Sequence, residues 1–524
     1  MDVDTFPLLI RALYRPSVYP HPVERVEHIE THISHVFLAG RFAYKLKKPV
    51  DLGFLDFSTL ERRRHCCEEE LRLNRRLSPD LYLDLVAITG TPHAPRFGGP
   101  GEVLEYAVRM RRFPQESLLT QQVLSGPLID TLAEQVADFH ARIPIAAPET
   151  RFGTPEAILA PIIESLAQIR GRGGCPEPCE RLDRLETWVH ERWRLLTPVF
   201  ERRRLGGHVR ECHGDMHRGN IALVDGEIRI FDAIEFAPAL RWIDTASEIA
   251  FLVMDLEEAG ETALARRFLN RYLERGGDYE LLEVLDLYKV YRALVRAKVA
   301  AIRLGQPGLS PEERARERDH CTRYLVLADA DTEARAPSLI MICGLSGSGK
   351  SHLARQLREH IPLIHLRSDI ERKRLFGIPE VATTRASLDD GIYFPAATEW
   401  TYARLLRLSE SILSAGYAVM VDATFIAQAR RARFWSLAER LRVPVAILAL
   451  DAPLEVLRDR IRRRCLAMED ASDADLCVLD RQRAAFQTLQ PEERARAVTI
   501  DTSDTPPMAM LIARLEGVLR GTLA

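Results

Sequence analysis

Long apolar runs are missing from this sequence. No stretch of its 524 residues approaches the roughly 20 consecutive apolar residues that a membrane-spanning helix requires. Charge of one sign is missing too. The 72 Lys and Arg stand against 75 Asp and Glu, a formal net charge of −3, so bulk electrostatics makes no case for a nucleic-acid or membrane partner. Cysteine is sparse: nine in a chain of this length form no disulfide framework, and the odd count leaves at least one unpaired. Cys175-Pro-Glu-Pro-Cys179 has no second Cys/His pair at zinc spacing and reads as a solvent loop. Adjacent Cys66 and Cys67 fall inside a helical pattern and read as small packing residues. The N-terminus, Met1-Asp2-Val3-Asp4, lacks the basic start of a secretory signal. From these absences a cytoplasmic protein is expected.

What is present is enough for several cores. The composition, 46% hydrophobic and 28% charged, is that of a globular protein, and the length predicts roughly two to four domains. The most informative stretch is His213-Gly214-Asp215-Met216-His217-Arg218-Gly219-Asn220. Asn220 to Val224 reads as a strand, Asp225-Gly226 as a hairpin turn, and Glu227 to Phe231 as the return strand that delivers Asp232. An aspartate, an asparagine five residues on, and a second aspartate ending an apolar strand form a phosphoryl-transfer layout. Asp215 is placed to accept the proton of an attacking hydroxyl. Asn220 and Asp232 are placed to hold Mg2+ against nucleotide phosphates. Asp244, in Arg241-Trp-Ile-Asp244, is read as structural, bonding back to this loop.

Upstream, residues 1–30 read as a short helix and a loop. His35 to Gly40 and Arg41 to Lys47 read as two strands around a turn at Gly40. Lys45, near the end of the second, is placed to pair with the α/β phosphates of a nucleotide. Ser58 to Leu77 reads as a helix capped by Ser58, with Glu61 three residues on. Of Glu68, Glu69 and Glu70, spacing to Leu73 and Leu77 favours Glu70 as the partner of Lys45, with Glu69 next. Leu81 to Thr89 and Val103 to Met110 read as strands, and Met110 to Pro114 stands where a hinge would bond the adenine through its backbone. Asp130 to Arg142 reads as an amphipathic helix. No G-x-G-x-x-G loop is present; Leu38-Ala-Gly40-Arg is the nearest turn.

His213-Gly-Asp215-x4-Asn220 with Phe231-Asp232 resembles the aminoglycoside phosphotransferase group of protein-kinase-like small-molecule kinases, over residues 25–310. The resemblance implies a two-lobed fold with ATP between the lobes, Asp215 as catalytic base and Asn220 and Asp232 as magnesium ligands. It implies an acceptor among sugars, choline-like alcohols and antibiotics.

A second nucleotide motif lies downstream. The buried-type strand Leu339 to Cys343 runs into Gly344-Leu-Ser346-Gly347-Ser348-Gly349-Lys350-Ser351 and then a helix, His352 to His360. Strand, G-x-x-x-x-G-K-S, helix is the setting the P-loop requires. Its backbone N–H groups hold phosphates, Lys350 reaches the β/γ phosphates, and Ser351 binds Mg2+. Leu363 to Leu366 is a further strand, after which Asp369 is placed beside the acceptor hydroxyl as base. Ala418 to Asp422 ends in a carboxylate suited to contact Mg2+ through water. The Leu457 to Arg464 helix carries five arginines; Arg460 and Arg464, at i and i+4, share one face and are read as lid residues that steady phosphate charge.

Residues 337–524 resemble P-loop kinases of the polynucleotide-kinase and zeta-toxin type, and Ser472-Asp473-Ala474 with Gln482 is similar to a pattern in the lid of that group. The whole order resembles a bacterial two-module family labelled bifunctional aminoglycoside phosphotransferase/ATP-binding protein. The expected fold class is α/β and α+β: a two-lobed protein-kinase-like domain over residues 1–327, a linker at 328–338, and a doubly wound parallel-sheet P-loop domain over 339–524. The expected activity is ATP-dependent transfer of phosphate, at two sites, to small hydroxyl-bearing acceptors. Two alternatives stand beside it. One module can be a nucleotide-binding switch for the other. Or the C-terminal module can be a nucleic-acid or nucleotide-sugar kinase, although no aromatic-plus-basic nucleic-acid surface is evident.

Overall fold

The computed structural model describes residues 5–51, 55–171, 179–306, 308–379, 394–467, 476–504 and 507–521; the side chains at 179 and 464–467 fall outside that description. Residues 175–178 of the Cys175-Pro-Glu-Pro-Cys179 stretch and Ser472 to Ala474 therefore lie outside the described residues, as do the side chains of Cys179 and Arg464.

The alternating residues before Lys45 form the middle of an antiparallel sheet with strand order β1-β2-β3-β6-β4-β5. The strands are β1 (Val26–Glu30), β2 (Ser34–Ala39), β3 (Phe42–Lys47), β4 (Tyr82–Thr91), β5 (Ala94–Phe97) and β6 (Val103–Arg111). Because successive side chains alternate faces, Phe37, Tyr44 and Leu46 pack on one side with Leu9, Leu13 and Phe97. On the other side Val108 packs with Cys67 and Leu71 of the helix Leu60–Asn74. Lys45 lies opposite Val36 and Val108 in the centre of the sheet.

Two local expectations are corrected. Val26–Glu30, within the stretch expected to be a short helix and loop, is an edge strand. It faces solvent over much of its length, which is why its apolar pattern is weak. The helix at Leu60 is capped by Thr59, whose side chain accepts from the Arg62 N–H; Ser58 instead bonds Asp56. β1 and its connection to β2 contribute Ile29 and Thr31 to the cavity beside Lys45, which Gly40 does not line.

The second lobe is helical around two small ribbons. β7 (Val209–Glu211) pairs with β10 (Trp242–Asp244), and β8 (Ile221–Val224) with β9 (Glu227–Ile230). The helices Gly126–Arg142, Thr245–Glu258, Thr262–Gly276 and Leu282–Leu304 pack around them. The following helix, Pro311–Ala330, starts with a Ser310/Glu313 capping box and runs three residues into the stretch 328–338 expected to be a linker.

The P-loop sheet contains β11 (Leu339–Cys343), β12 (Leu363–Arg367), β13 (Ala418–Asp422), β14 (Val445–Asp451) and β15 (Ala497–Asp501), in the order β12-β13-β11-β14-β15. All four pairings are parallel, and β11 is buried at every position. Such a sheet presents its ligand site at the carboxyl ends of the strands. The doubly wound expectation is met here, and the two-lobed expectation in the first module. One apolar cluster runs from Leu269 and Leu273 of the Thr262–Gly276 helix to Ile364 and Leu366 of β12, so the modules share a core. Among the described residues no helix is long and apolar enough to cross a membrane.

Candidate active sites

The loop before β8 is shaped by backbone demands first. Gly214 has φ +91°, and a Cβ there would stand 2.7 Å from the Leu240 carbonyl oxygen, so only glycine fits between His213 and Asp215. Glu248, fully buried on the Thr245–Glu258 helix, accepts from the His213 N–H at 3.1 Å and the Gly214 N–H at 2.6 Å. His140 stands 2.8 Å from Glu248 Oε2 through Nε2 and 2.8 Å from the Tyr272 hydroxyl through Nδ1. Burial pushes the Glu248 carboxyl up, but the hydrogen bonds from His140 and from the Gly214 N–H outweigh it and hold it at about 2. A buried carboxylate with these partners is a rigid mount for the loop. The expectation for Asp244 is corrected: it caps the Thr245–Glu258 helix and pairs with buried Arg203, while Glu248 holds the loop.

The His213 ring ties the loop to the hairpin. Its Nε2 donates to the Phe231 carbonyl at 2.9 Å, and its Nδ1 accepts from the Asp215 N–H at 3.3 Å. Burial lowers its pKa, in keeping with a neutral ring that donates on one side and accepts on the other. The side chain of Asn220 donates to Asp215 Oδ2 at 2.9 Å and to the Asp215 carbonyl at 3.0 Å. Its amide oxygen is the acceptor end left for a cation. Asp232 has φ +65°, a left-handed conformation that aspartate tolerates better than most residues. The Tyr82 hydroxyl accepts from its N–H, and Asn74 Oδ1 accepts from the N–H of Ala233.

Lys45 reaches across the lobes. Its Nζ lies 2.5 Å from Asp232 Oδ1 and 2.8 Å from Glu70 Oε1. Lys47, two residues on, is fully buried between Glu70 and Glu235. Burial alone would raise the Glu70 carboxyl; Lys45 and then Lys47 overcome this and hold it at about 2. Asp215 is likewise held below the usual carboxylate range, burial being outweighed chiefly by His217, whose Nε2 lies 3.5 Å from Oδ2. Between the lobes is a cavity of about 170 Å³. Val36, Leu38, Ala43 and Phe231 form apolar walls, Met110 to Phe113 lie along it, and Lys45 and Asp232 stand at its polar end. Glu69 points elsewhere, to Arg72 and Arg241.

The second site is built from one loop. Gly347 and Gly349 have φ of +82° and +85°. A Cβ on Gly347 would meet the Leu457 carbonyl oxygen at 2.8 Å. Gly344 is as confined: a Cβ there would stand 2.6 Å from Ser348 Oγ. Gln482 Oε1 accepts from the Ser346 N–H at 2.8 Å. Lys350 Nζ donates to the Leu345 carbonyl at 2.8 Å, folded back over the loop it belongs to. Ser351 Oγ donates to Asp422 Oδ2 at 2.6 Å, and His365 Nε2 lies 3.3 Å from the same oxygen. Burial raises Asp422, but His365, then Lys350 and Arg367, bring it to about 2. The adjoining cavity, about 610 Å³, is lined by Lys350, Ser351, Asp369, Asp422 and five arginines: Arg355, Arg372, Arg430, Arg460 and Arg481. Arg460 donates to Thr502 at 2.7 and 2.8 Å and to the Gly347 carbonyl at 3.4 Å.

Both donor sets consist of hard oxygens, amide and carboxylate in one, hydroxyl and carboxylate in the other, and this chemistry fits Mg2+. Reasoning from sequence missed Glu248, His140, Glu235, His365 and Arg430. Arg372, three residues after Asp369, belongs to the arginines that the sequence places near the acceptor, and it lines the cavity with Asp369.

Residues 62–285 match the phosphotransferase enzyme family, and residues 339–489 match the AAA domain. Uncharacterized protein Rv2004c of Mycobacterium tuberculosis is 32% identical over 475 residues, 89% of this chain and 93% of that protein. This chain belongs to the same two-module family. The Mycobacterium bovis member, Uncharacterized protein Mb2027c, has the same identity and coverage. Among solved structures, amicoumacin kinase hAmiN in complex with AMP-PNP, Ca2+ and Ami is similar over 63% of this chain and 94% of its own, at 15% identity and a TM-score of 0.40. A gluconokinase from Sinorhizobium meliloti is similar over 36% and 95%, at 20% identity and a TM-score of 0.25. At these scores the structures describe likeness only; membership rests on the mycobacterial relatives. The two matched domains make the chain an enzyme of the kinase type.

Proposed function

We propose that the chain is an ATP-dependent phosphotransferase with two active sites, one in residues 1–327 and one in 339–524, joined through 328–338. The observation that carries this reading is that each module holds its own complete set: a lysine for phosphate, a pair of hard oxygen ligands and an aspartate for the acceptor. In the first site the apolar walls take the adenine and Lys45 takes phosphate oxygens. Asp215, ionised and fixed by Asn220, accepts the proton of the acceptor hydroxyl. Glu70 orients Lys45 and balances its charge. Asn220 and Asp232 would hold Mg2+, which when bound neutralises phosphate charge. In the second site the Gly344–Ser351 backbone and Lys350 wrap the phosphates, Ser351 and Asp422 would hold Mg2+, and Asp369 faces the acceptor. Arg460 is placed to steady phosphate charge beside Gly347. The acceptors are small hydroxyl-bearing molecules, and ATP, a cytoplasmic metabolite, supports a cytoplasmic setting.

Single substitutions in the whole protein test the two-site reading. Asp215→Asn is expected to lower first-site phosphoryl transfer by about 10²–10⁴-fold, the range for losing a positioned base. Lys350→Ala is expected to remove turnover at the second site. A screen of alcohols, sugars and nucleosides, run on both variants, assigns each acceptor to a site. If each variant retains all of the wild-type ATP turnover, the two-site reading fails.

A further inference from the structure

The second site leans on the first module. β12 is the edge strand of the P-loop sheet and pairs with β13 on one side only. On its other side lies the Thr262–Gly276 helix of the first module. Asn270 on that helix is buried, and its side-chain amide takes the place of a neighbouring strand: Nδ2 donates to the Leu363 carbonyl at 3.0 Å, and Oδ1 accepts from the His365 N–H at 2.8 Å. One helical turn on, Glu274 Oε1 accepts from Arg367 Nη1 at 3.0 Å, with side chains only 7% and 8% exposed.

The strand gripped in this way supports the P-loop chemistry. His365 reaches Asp422, which in turn accepts from Ser351. Arg367 lies opposite Asp422 in the β12–β13 register, and Ser368 and Asp369, immediately after it, line the cavity. Apolar packing alone would hold two modules together. A buried amide matched to both backbone groups, with a buried ion pair one turn away, instead defines where β12 sits, because a shift in register leaves buried polar groups unmatched.

We propose that Asn270 and Glu274, on a helix of the first module, are positioning residues of the P-loop site, holding β12 so that Asp422 and Ser351 keep the geometry that binds Mg2+ with ATP. The proposal rests on the reading of that site given above. It makes the second site incomplete without the first module.

Calorimetric titration of the full-length protein with MgATP, and with ATP in EDTA, provides the test. Lys350→Ala identifies the P-loop binding event by abolishing it. Glu274→Gln is then expected to weaken MgATP at the Lys350-dependent site by about tenfold, the lower end of what loss of a group supporting metal ligands costs. Binding of ATP in EDTA at that site, and both titrations at the first site, should stay within about twofold. Asn270→Ser, a milder change, is expected to act in the same direction and serves if the first variant folds poorly. Retention of wild-type MgATP affinity at the Lys350-dependent site by both variants overturns the proposal. So does an equal loss of the two nucleotide forms at both sites, which marks general destabilisation. If Lys350→Ala leaves every binding event intact, the P-loop reading fails and takes the proposal with it.

Discussion

Lys45 and Lys350 are assigned the same electrostatic task, yet the molecule builds their surroundings differently. Lys350 lies in eight contiguous residues whose glycines admit the backbone conformations the loop needs. Lys45 meets Asp232 across 187 residues of sequence, and Glu248 grips its loop from 34 and 35 residues away. The first site is therefore an assembly of separate elements, each mounted by buried ion pairs and hydrogen bonds. The second is a local loop at the carboxyl end of β11, the central strand of its sheet. An assembled site should suffer from changes far from its chemistry. A contiguous one should suffer chiefly from changes within its loop and along the strands beneath it.

The largest expected effect that separates the two is Glu248→Ala. It strips the carboxylate from two backbone N–H groups and from His140, and breaking such a buried charged network costs about 3–5 kcal/mol. Thermal unfolding should shift down markedly and first-site turnover should fall, while in protein that remains folded the P-loop site keeps its MgATP affinity. Equal loss at both sites would erase the distinction drawn here.

Acid comes next. Glu70 and Glu248 in the first site, and Asp422 in the second, are held at about 2 when folded. As pH falls below about 4.5, unfolded carboxylates take up protons that the folded ones refuse, so stability is lost between about 4.5 and 2. His213 and His365 have lowered values in the folded state. Below about 6.5 the unfolded chain therefore also binds protons that these buried rings do not, and the loss begins there. Urea midpoints should be level from pH 8 to 7, decline below 6.5 and steepen below 4.5. Glu248→Gln should flatten the acid limb even as it lowers the plateau. An unchanged acid limb would show that Glu248 contributes no proton linkage.

Gly347→Ala sharpens the other half of the comparison. The new Cβ meets the Leu457 carbonyl in a left-handed backbone, a strain of about 1–3 kcal/mol. MgATP affinity at the P-loop should drop by tenfold or more, read by calorimetry, with first-site binding intact.

The smallest effect lies at the helix that carries Glu70. Thr59→Ala removes its cap and should cost about 1 kcal/mol, whereas Ser58→Ala should cost a few tenths. Denaturant unfolding of both variants decides between the observed cap and the one the sequence favours.

The sequence alone determined what depends on near neighbours in the chain. Gly344 to Ser351, flanked by a buried strand and a helix, carries its own geometry because φ freedom and helix N-terminal N–H groups are local properties. The order Asp215, Asn220, Asp232 and the Asp225-Gly226 turn are local in the same sense. The doubly wound fold of the second module followed from the alternation of strand and helix patterns, whereas the two-lobed fold of the first was implied by the resemblance that His213 to Asn220 and Asp232 carry. Tertiary structure alone decided what each side chain faces. Lys45, Lys47 and Lys48 are one basic cluster in sequence, but Lys47 is sealed between Glu70 and Glu235 while Lys48 pairs with Glu30 near the surface. Glu248 and Asp244 are both acidic residues on one short segment, and only packing shows that the first holds the loop while the second caps a helix. Asn270 and Glu274 gave no signal, because a polar residue on an amphipathic helix reads as solvated until a second module covers it. Burial turns an ordinary carboxylate or amide into a determinant of geometry, and burial is a property of the assembled chain.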